Sequence, residues 1–221
     1  MVSHSSPASR QKTAPRLSGP GRPKDLAKRD AILEAAKRLF AGDGYAGVSM
    51  DQIAAEAGVS KLTVYSHFGD KEALFVAAIR AKCEETLPDD LFAQELKGPL
   101  RAQLKAIASG FFALVTSDEA ISTHRMMITP GNADDPLRKL FWEAGPQRTH
   151  QAFGAFLQSR VDAGELDIAD VQRASEQFFC LLKGEMHGRM MCGLGARPAR
   201  GDVNAHLDAS VDMFLRAYAK S

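Results

Sequence analysis

This sequence has few cysteines, no long apolar runs and little of the alternation of apolar and polar residues that is typical of β-strands. Each of these features argues against a class of protein. Three cysteines among 221 residues are too few, and odd in number, for a disulfide framework, so we expect a reduced cytoplasmic protein. The longest apolar runs, such as residues 74–79 and 178–182, fall far short of the roughly 18 residues of a membrane span. The first residues also lack the apolar core of a secretory signal. No membrane partner is expected.

The motifs of common enzyme classes are missing as well. The sequence has no Gly-x-Ser-x-Gly elbow, no P-loop and no Gly-x-Gly-x-x-Gly turn after a strand. Glu185 and His187 are close in sequence but point about 200° apart on a helix, so they form no local dyad. Cys180 and His187 share a helix face, but Cys192 lies more than a turn beyond them, so no compact metal site is predicted. We expect no enzyme, cofactor or metal; an all-helical enzyme is the weaker alternative.

Charge is unevenly distributed, although the formal net charge is only +1. Residues 1–71 hold 11 Lys and Arg against 7 Asp and Glu, whereas residues 72–221 hold 17 against 20. Residues 1–24 contain five basic residues, four prolines and no acidic residue. This composition predicts a flexible basic arm over residues 1–24 that ends with Arg22 and Lys24. The arm is either a free solvated tail or a segment that follows DNA phosphates or enters a minor groove.

Helical periodicity continues from the arm almost to the carboxyl end, so an all-α fold is expected. Residues 25–72 are predicted to form a helix-turn-helix DNA-binding domain of three helices. Residues 73–221 are predicted to form a larger helical domain. The apolar stripes of this second domain place helices near residues 98–116, 118–128, 135–163, 168–194 and 203–219.

A helix-turn-helix is indicated between residues 49 and 68. Ser49 and Gln52 have the spacing of a capping box at the start of a short helix. Gly58 ends this helix and permits a tight turn. Ser60 then caps a second short helix. Such a pair of helices is the unit that presents a recognition helix to DNA.

The outward side chains of the second helix suit DNA. Val64 and Phe68 are predicted to point inward. The remaining side chains offer hydroxyls and a lysine to phosphates, and methyl groups to thymine: they are Lys61, Leu62, Thr63, Tyr65, Ser66 and His67. Lys71 lies in the first turn of the next helix, beside free backbone N–H groups, which favours a phosphate.

Residues 47–75, with the string Gly-Val-Ser-x-x-Thr-x-Tyr-x-His-Phe within them, closely resemble the DNA-binding domain of TetR-family (TetR/AcrR) transcriptional regulators. The likeness covers about residues 26–80. The resemblance implies that Ser49 occupies a position whose residue caps a helix and often contacts a phosphate. It also implies that Lys61, Leu62 and Thr63 face the bases or the nearby DNA backbone, and that Tyr65, His67 and Lys71 bind phosphates.

Leu62 departs from the family pattern, in which a small residue or proline is common, and it is expected to contact a thymine methyl group. Two other assignments keep their alternatives. Tyr65 could be a half-buried core residue, and His67 could be a plain surface histidine.

The resemblance also implies that residues 73–221 are a ligand-binding and dimerisation domain, which forms a homodimer and encloses a ligand cavity. Residues 178–190 are similar to AefR-like domains of this family. Independently, the predicted helix 168–194 is apolar on several faces, so the last two helices are expected to form the dimer interface. Gly184 and Gly188 would permit close approach there. An internal helix pair in a monomer is the alternative.

Methionine and aromatic side chains of this domain suit an adaptable pocket for a small apolar or amphipathic ligand. The candidates, each of which could instead be simple core, are Phe111, Met126, Met127, Trp142, Phe178, Phe179, Met186 and His187. The predicted function is a ligand-released repressor that binds a palindromic double-stranded DNA operator as a homodimer. A transcriptional activator or a ligand-independent DNA-binding protein is the alternative.

Overall fold

The computed structural model describes residues 22–93, 98–129 and 135–220, and these residues form the predicted all-α fold, with one isolated bridge between Leu166 and Ala219 and no strand. The helices are α1 (Arg22–Gly47), α2 (Met50–Glu56), α3 (Lys61–Phe68), α4 (Lys71–Thr86), α5 (Leu100–Val115), α6 (Asp118–Ile128), α7 (Pro136–Trp142), α8 (Arg148–Asp162), α9 (Val171–Met191) and α10 (Arg200–Tyr218). A 3₁₀ turn occupies Asp89–Phe92, and a π-helical turn, Glu143–Gln147, joins α7 to α8. No helix in these ranges is long and apolar enough to cross a membrane.

Most of the predicted arm, residues 1–21, lies outside the described residues. Because α1 begins at Arg22, the predicted end of the arm at residue 24 falls in the first turn of that helix. The side chains of Arg22 and Lys24 also lie outside the described part of the chain, so their contact with DNA stays a prediction.

Two apolar cores divide the molecule. The first joins α1 to α4, and its fully buried side chains include Ile32, Ile53, Val64, Leu74 and Phe75. The second joins α5, α8, α9 and α10 around buried phenylalanines, among them Phe153, Phe156, Phe178, Phe179 and Phe214. Helix α4 contributes to both, because its first half packs in the first core while Cys83 near its end packs against the second. The helix that follows the recognition helix therefore connects the two cores.

Two predicted helices differ in detail. The predicted helix 135–163 is interrupted by the π-helical turn Glu143–Gln147, which contains Pro146; proline lacks the N–H that an uninterrupted α-helix needs. The predicted helix 168–194 is shorter and kinked at Gly184, whose φ of 48° and ψ of −158° are not helical. Gly184 was expected to allow close approach of a second subunit, but a Cβ placed there would lie 2.8 Å from Cε1 of His206 in the same chain. The missing side chain of Gly184 thus leaves room for α10 of the same subunit.

We predict that Gly184→Ala lowers the free energy of unfolding by about 1–3 kcal/mol, because alanine is strained at positive φ and its Cβ collides with the His206 ring. Urea denaturation measures the change. Gly42→Ala in α1 is the matched control: its Cβ meets nothing within 4 Å, so it should stabilise the protein by up to about 1 kcal/mol. A Gly184→Ala chain as stable as the wild type would contradict the left-handed kink.

Candidate nucleic-acid interface

Helix α2 begins at the predicted capping box. The Gln52 backbone N–H donates to Ser49 Oγ at 3.2 Å, and the Ser49 backbone N–H donates to Gln52 Oε1 at 2.7 Å. These two bonds satisfy backbone donors that an uncapped helix leaves free. Ile53 and Ala54 are buried on the inner face. The predicted start of the helix-turn-helix is confirmed.

The turn after α2 fixes the direction of α3. Gly58 has a φ of 66°, which a residue with a side chain rarely adopts. The Val59 N–H donates to the Ala54 carbonyl at 3.0 Å. Ser60 Oγ accepts a bond from the Thr63 N–H at 3.1 Å and thereby caps α3. At the other end of α3, the Gly69 N–H donates to the Tyr65 carbonyl at 2.8 Å. The short helix is thus held by hydrogen bonds at both ends and by burial of Val64 and Phe68.

The outer face of α3 forms a ridge, hereafter the α3 ridge, made of Leu62, Tyr65 and Ser66. Leu62 is 78% exposed and Tyr65 is 41% exposed, although both are large and partly apolar. Ser66 is also exposed, and its hydroxyl donates to the Thr63 carbonyl at 2.8 Å. Tyr65 is therefore not a core residue. An exposed row of this composition on a rigid helix matches the needs of a protein that reads a DNA groove.

His67 and Thr63 depart from the predicted outward set. The His67 side chain is only 12% exposed, and its Nε2 lies 3.0 Å from Asp25 Oδ1 of α1. The start of α1 crosses this face of α3, which periodicity within α3 alone could not reveal. Thr63 is half-buried, and its hydroxyl bonds Ser60 Oγ at 2.8 Å. Both residues hold α3 in place, and a direct role for them on DNA stays a prediction.

The two predicted lysines flank the α3 ridge. Lys61 Nζ bonds Asp51 Oδ2 at 2.9 Å, which raises the pKa of Lys61. Since both side chains are exposed, this bond can exchange for a phosphate. Lys71 Nζ lies 4.2 Å from the ring centroid of Tyr45, and partial burial lowers the pKa of Lys71. The ring face attracts the ammonium and holds it at the start of α4.

Tyr45 was not predicted to serve the site. Its ring stacks on Phe40 at 5.7 Å and meets Phe75 edge-on at 5.3 Å. Its N–H donates to the sulfur of Met126 in α6 at 3.3 Å. The one signal in the sequence was an aromatic residue directly after the glycine that ends the regular part of α1. Tyr45 connects the lysine beside the α3 ridge with the interior.

A cavity of about 130 Å³ lies between the two cores. Its walls come from α1, α4, α5, α6, α7, α8 and α9 and from the π-helical turn. Of the predicted pocket residues, Phe111 and Trp142 line it. Trp142 is 55% exposed, so it stands at the mouth.

The other six pocket predictions fall outside the cavity wall. Phe178 and Phe179 are buried in the second core, and Met186 packs against it. Met126 and Met127 belong to the first core, because α6 packs on α1. His187 is buried behind His124, with the two ring centroids 6.2 Å apart.

The polar part of the cavity wall was missed at the sequence level. It consists of Lys37, Lys82, Glu119, Thr123, His124, Thr149, His150 and Lys183. The available signal was Lys183 itself, which lies four residues from both Phe179 and His187 on the buried side of α9. A lysine at such a position is uncommon unless it has a partner or a ligand.

The three histidines near the cavity are held neutral. Burial, followed by the charge of Lys183, lowers the pKa of His124 and of His150. The same two causes, with a smaller effect of His124, lower the pKa of His187 to about 4. His187 Nε2 is buried without a hydrogen-bond partner among the described residues. Within the same ranges, no three His, Cys, Asp or Glu side chains are placed to hold a metal ion.

Two family models match the chain. The model for bacterial regulatory proteins of the tetR family matches residues 32–78. The model for the carboxyl-terminal domain of AefR-like transcriptional repressors matches residues 102–220, more than half of the chain.

Individual relatives agree with these matches. The transcriptional repressor AcnR of Corynebacterium efficiens is 36% identical over 80 residues, which are 35% of this chain and 43% of AcnR. The activator FasR of Mycolicibacterium smegmatis is 32% identical over 91 residues, 41% of this chain and 42% of FasR. The chain thus spans less than half the length of these curated relatives.

Solved structures extend the likeness to the whole fold. A Mesorhizobium loti chain assigned to the TetR family aligns with a TM-score of 0.74 and 26% identity, covering 89% of this chain and 99% of that one. The flavonoid-responsive regulator FrrA aligns with a TM-score of 0.64 and 30% identity, covering 87% of this chain and 97% of FrrA.

Proposed function

Because this chain belongs to the TetR family of bacterial transcriptional regulators, with an AefR-like carboxyl-terminal domain, we propose that it is a ligand-released repressor that binds a palindromic operator as a homodimer. The observation that carries this proposal is the α3 ridge. Its exposed side chains stand on a helix that is fixed by two capped ends and a buried inner face. An α-helix of this kind fits the major groove, which is about 12 Å wide.

The proposed DNA contacts are of two kinds: contacts to phosphates, which position α3, and contacts to bases, which recognise the sequence. Tyr65 and Lys71 are proposed to bind phosphates, which fix the register of the helix without reading sequence. Leu62 has no polar group, so it reads thymine through the methyl group. Lys61 exchanges Asp51 for a phosphate or a guanine edge, and Ser49 contributes a phosphate contact beside its capping bond.

The homodimer is proposed to form through α9 and α10. The outer face of α10 carries an uncharged exposed row at intervals of four residues: Ala205, Ala209, Met213 and Ala217. The nearby carboxylates are paired with α5, since Asp212 Oδ1 accepts a bond from Arg101 Nε at 2.7 Å and Asp208 Oδ2 lies 2.9 Å from Lys105 Nζ. On α9, Cys180 and Gly188 are exposed. Two such faces bury apolar surface and place two α3 ridges on one duplex, about 34–36 Å apart or a multiple of this distance.

The position of the cavity supports the proposed release by a ligand. Phe40 of α1 and Phe75 of α4 form part of its wall, and both pack against Tyr45, which holds Lys71. A ligand that fits the cavity better in one arrangement of these helices shifts the protein away from the DNA-binding arrangement. The response of FrrA to flavonoids, stated in its name, supports control by a small molecule.

Repression is favoured over activation by the AefR-like repressor match over residues 102–220. The sign of regulation depends on where the operator lies relative to the promoter. A reporter gene behind the chain's own promoter, measured with and without the protein, shows the sign directly.

Binding is tested by titrating labelled duplexes with the protein and following fluorescence anisotropy. We expect a duplex from the region upstream of the protein's gene to bind at least about 1000-fold more tightly than a scrambled duplex at physiological salt. Affinity should fall steeply as salt rises, because phosphate contacts release counterions. Equal affinity for both duplexes would overturn sequence-specific binding.

Leu62→Ala tests how the α3 ridge reads sequence. Because Leu62 is 78% exposed, the free energy of unfolding should change by less than about 0.5 kcal/mol. Operator affinity should fall by up to about tenfold, since the contact with a thymine methyl is lost. Replacing single thymines of the operator by deoxyuridine identifies the partner base. At that position the wild type should lose affinity and Leu62→Ala should not; identical losses in both proteins would contradict the contact.

A further inference from the structure

The cavity between the two cores has the size of a single-ring ligand. Its volume of about 130 Å³ is close to that of apolar protein cavities, about 150 Å³, that bind benzene. Aromatic and aliphatic carbons dominate the wall, and its rings are Phe40, Phe75, Phe111, Phe141 and Trp142. Flat apolar walls of this kind enclose a ring and contribute favourable edge and face contacts.

Three lysines line this cavity, and two of them have anionic partners. Lys37 Nζ lies 2.7 Å from Glu34 Oε1 and also pairs with Glu85. Lys82 Nζ lies 3.2 Å from Oε2 of Glu119, the carboxylate of the cavity wall. Their charges are therefore balanced by the protein.

Lys183 is different. It is half-buried and lines the cavity, yet no carboxylate or hydrogen-bond acceptor among the described residues pairs with it. A cation in a largely apolar enclosure favours an anionic partner, because it has lost part of its hydration without gaining a counter-charge. Of the three lysines in the wall, Lys183 is thus the one without a counter-charge in the described part of the chain.

The histidines add hydrogen-bonding groups without adding charge. His124 and His150 line the cavity, and burial together with the Lys183 charge lowers the pKa of each. Both are consequently neutral near pH 7. His150 Nδ1 lies 3.2 Å from Ser175 Oγ, whereas its other ring nitrogen has no hydrogen-bond partner among the described residues. The wall thus combines a ring-sized apolar space and neutral polar groups with Lys183, a cation that has no anionic partner within the described ranges.

We propose that this cavity binds a monocyclic aromatic carboxylate, with Lys183 bonding the carboxylate and the phenylalanine rings enclosing the ligand ring. This assignment names the chemical class of the releasing ligand and in that respect rests on the proposed function. Binding itself depends only on the cavity.

Calorimetric titration of the full-length protein with benzoate, benzamide and benzylamine at pH 7.5 tests the proposal. The three probes share one ring and differ in charge. The wild type should bind benzoate at least tenfold more tightly than benzamide and should bind benzylamine least. Lys183→Met, which keeps the stem and removes the charge, should weaken benzoate binding at least tenfold and leave benzamide binding within about threefold. Lys183→Arg should retain the preference for the anion.

The matched control is Lys139→Met, a lysine on α7 whose side chain is 77% exposed and which should leave all three affinities unchanged. Benzamide binding to Lys183→Met shows that the cavity is still formed. If the methionine variant does not fold, Lys183→Arg tests the role of the cation, because it should still prefer benzoate to benzamide. Equal affinity of the wild type for benzoate and benzamide, or no binding of any probe, would overturn the assignment. Operator titration without any probe is measured separately: its failure counts against the proposed function, and a missing anion preference counts against this inference.

Discussion

Replacing Tyr65 and Lys71 together by alanine is expected to weaken operator binding by about 100-fold or more. Each dimer would lose four contacts to the DNA backbone, and hydrogen bonds to charged groups are worth roughly 1.5–3 kcal/mol each. Removal of two cations per dimer should also reduce the slope of log affinity against log salt by about 2. Fluorescence anisotropy at several salt concentrations measures both effects.

This loss should not come from unfolding, because Tyr65 is 41% exposed and Lys71 contributes mainly its contact with Tyr45, worth about 0.5–1 kcal/mol. Thermal unfolding of the variant checks the point. Lys139→Ala removes an exposed lysine far from the α3 ridge in sequence and should leave affinity and salt slope unchanged. A folded Tyr65→Ala, Lys71→Ala protein that binds its operator normally would show that the α3 ridge is not the DNA-binding surface.

Met213→Glu is expected to convert the dimer into a monomer. Met213 is 54% exposed in the single chain and lies at the middle of the uncharged row on α10. In the proposed dimer the carboxylate would be buried without a partner, at a cost of several kcal/mol per interface. Light scattering should give a mass near the chain's 23.9 kDa rather than twice that mass. Operator affinity should fall at least 100-fold, since one subunit reaches only one half-site.

Met213→Leu is the matched control for this change, since it keeps an apolar side chain of similar volume and should remain dimeric. Circular dichroism establishes that both variants keep the helical fold. A Met213→Glu protein that stays dimeric and binds the operator as the wild type does would place the subunit interface elsewhere.

Local signals in the sequence were sufficient to predict the helix ends of the DNA-binding domain and the outward face of α3. Helix ends are defined by bonds to residues two to four positions away at Ser49, Gly58, Ser60 and Asp70, and interactions of this range can be predicted from spacing. The outward position of Leu62 and Tyr65 follows from the same local geometry once Val64 is placed inside.

Contacts between distant segments could not be read in this way. The bond between His67 and Asp25 spans 42 positions of the sequence, and it buries a histidine that periodicity placed outside. The kink at Gly184 depends on where His206 of α10 passes. Likewise, seven helices and a π-helical turn meet at the cavity, so apolar residue type alone pointed to only two of its wall residues, Phe111 and Trp142.

The most direct test of the central claim is a dimethyl sulfate protection experiment on the operator, which reports guanine N7 in the major groove. Two protected clusters are expected, related by a two-fold axis and centred about one helical turn of DNA, or a multiple of it, apart. Protection should disappear with the Tyr65→Ala, Lys71→Ala variant. A single cluster, or protection spread evenly along the duplex, would contradict the docking of two α3 ridges in successive major grooves.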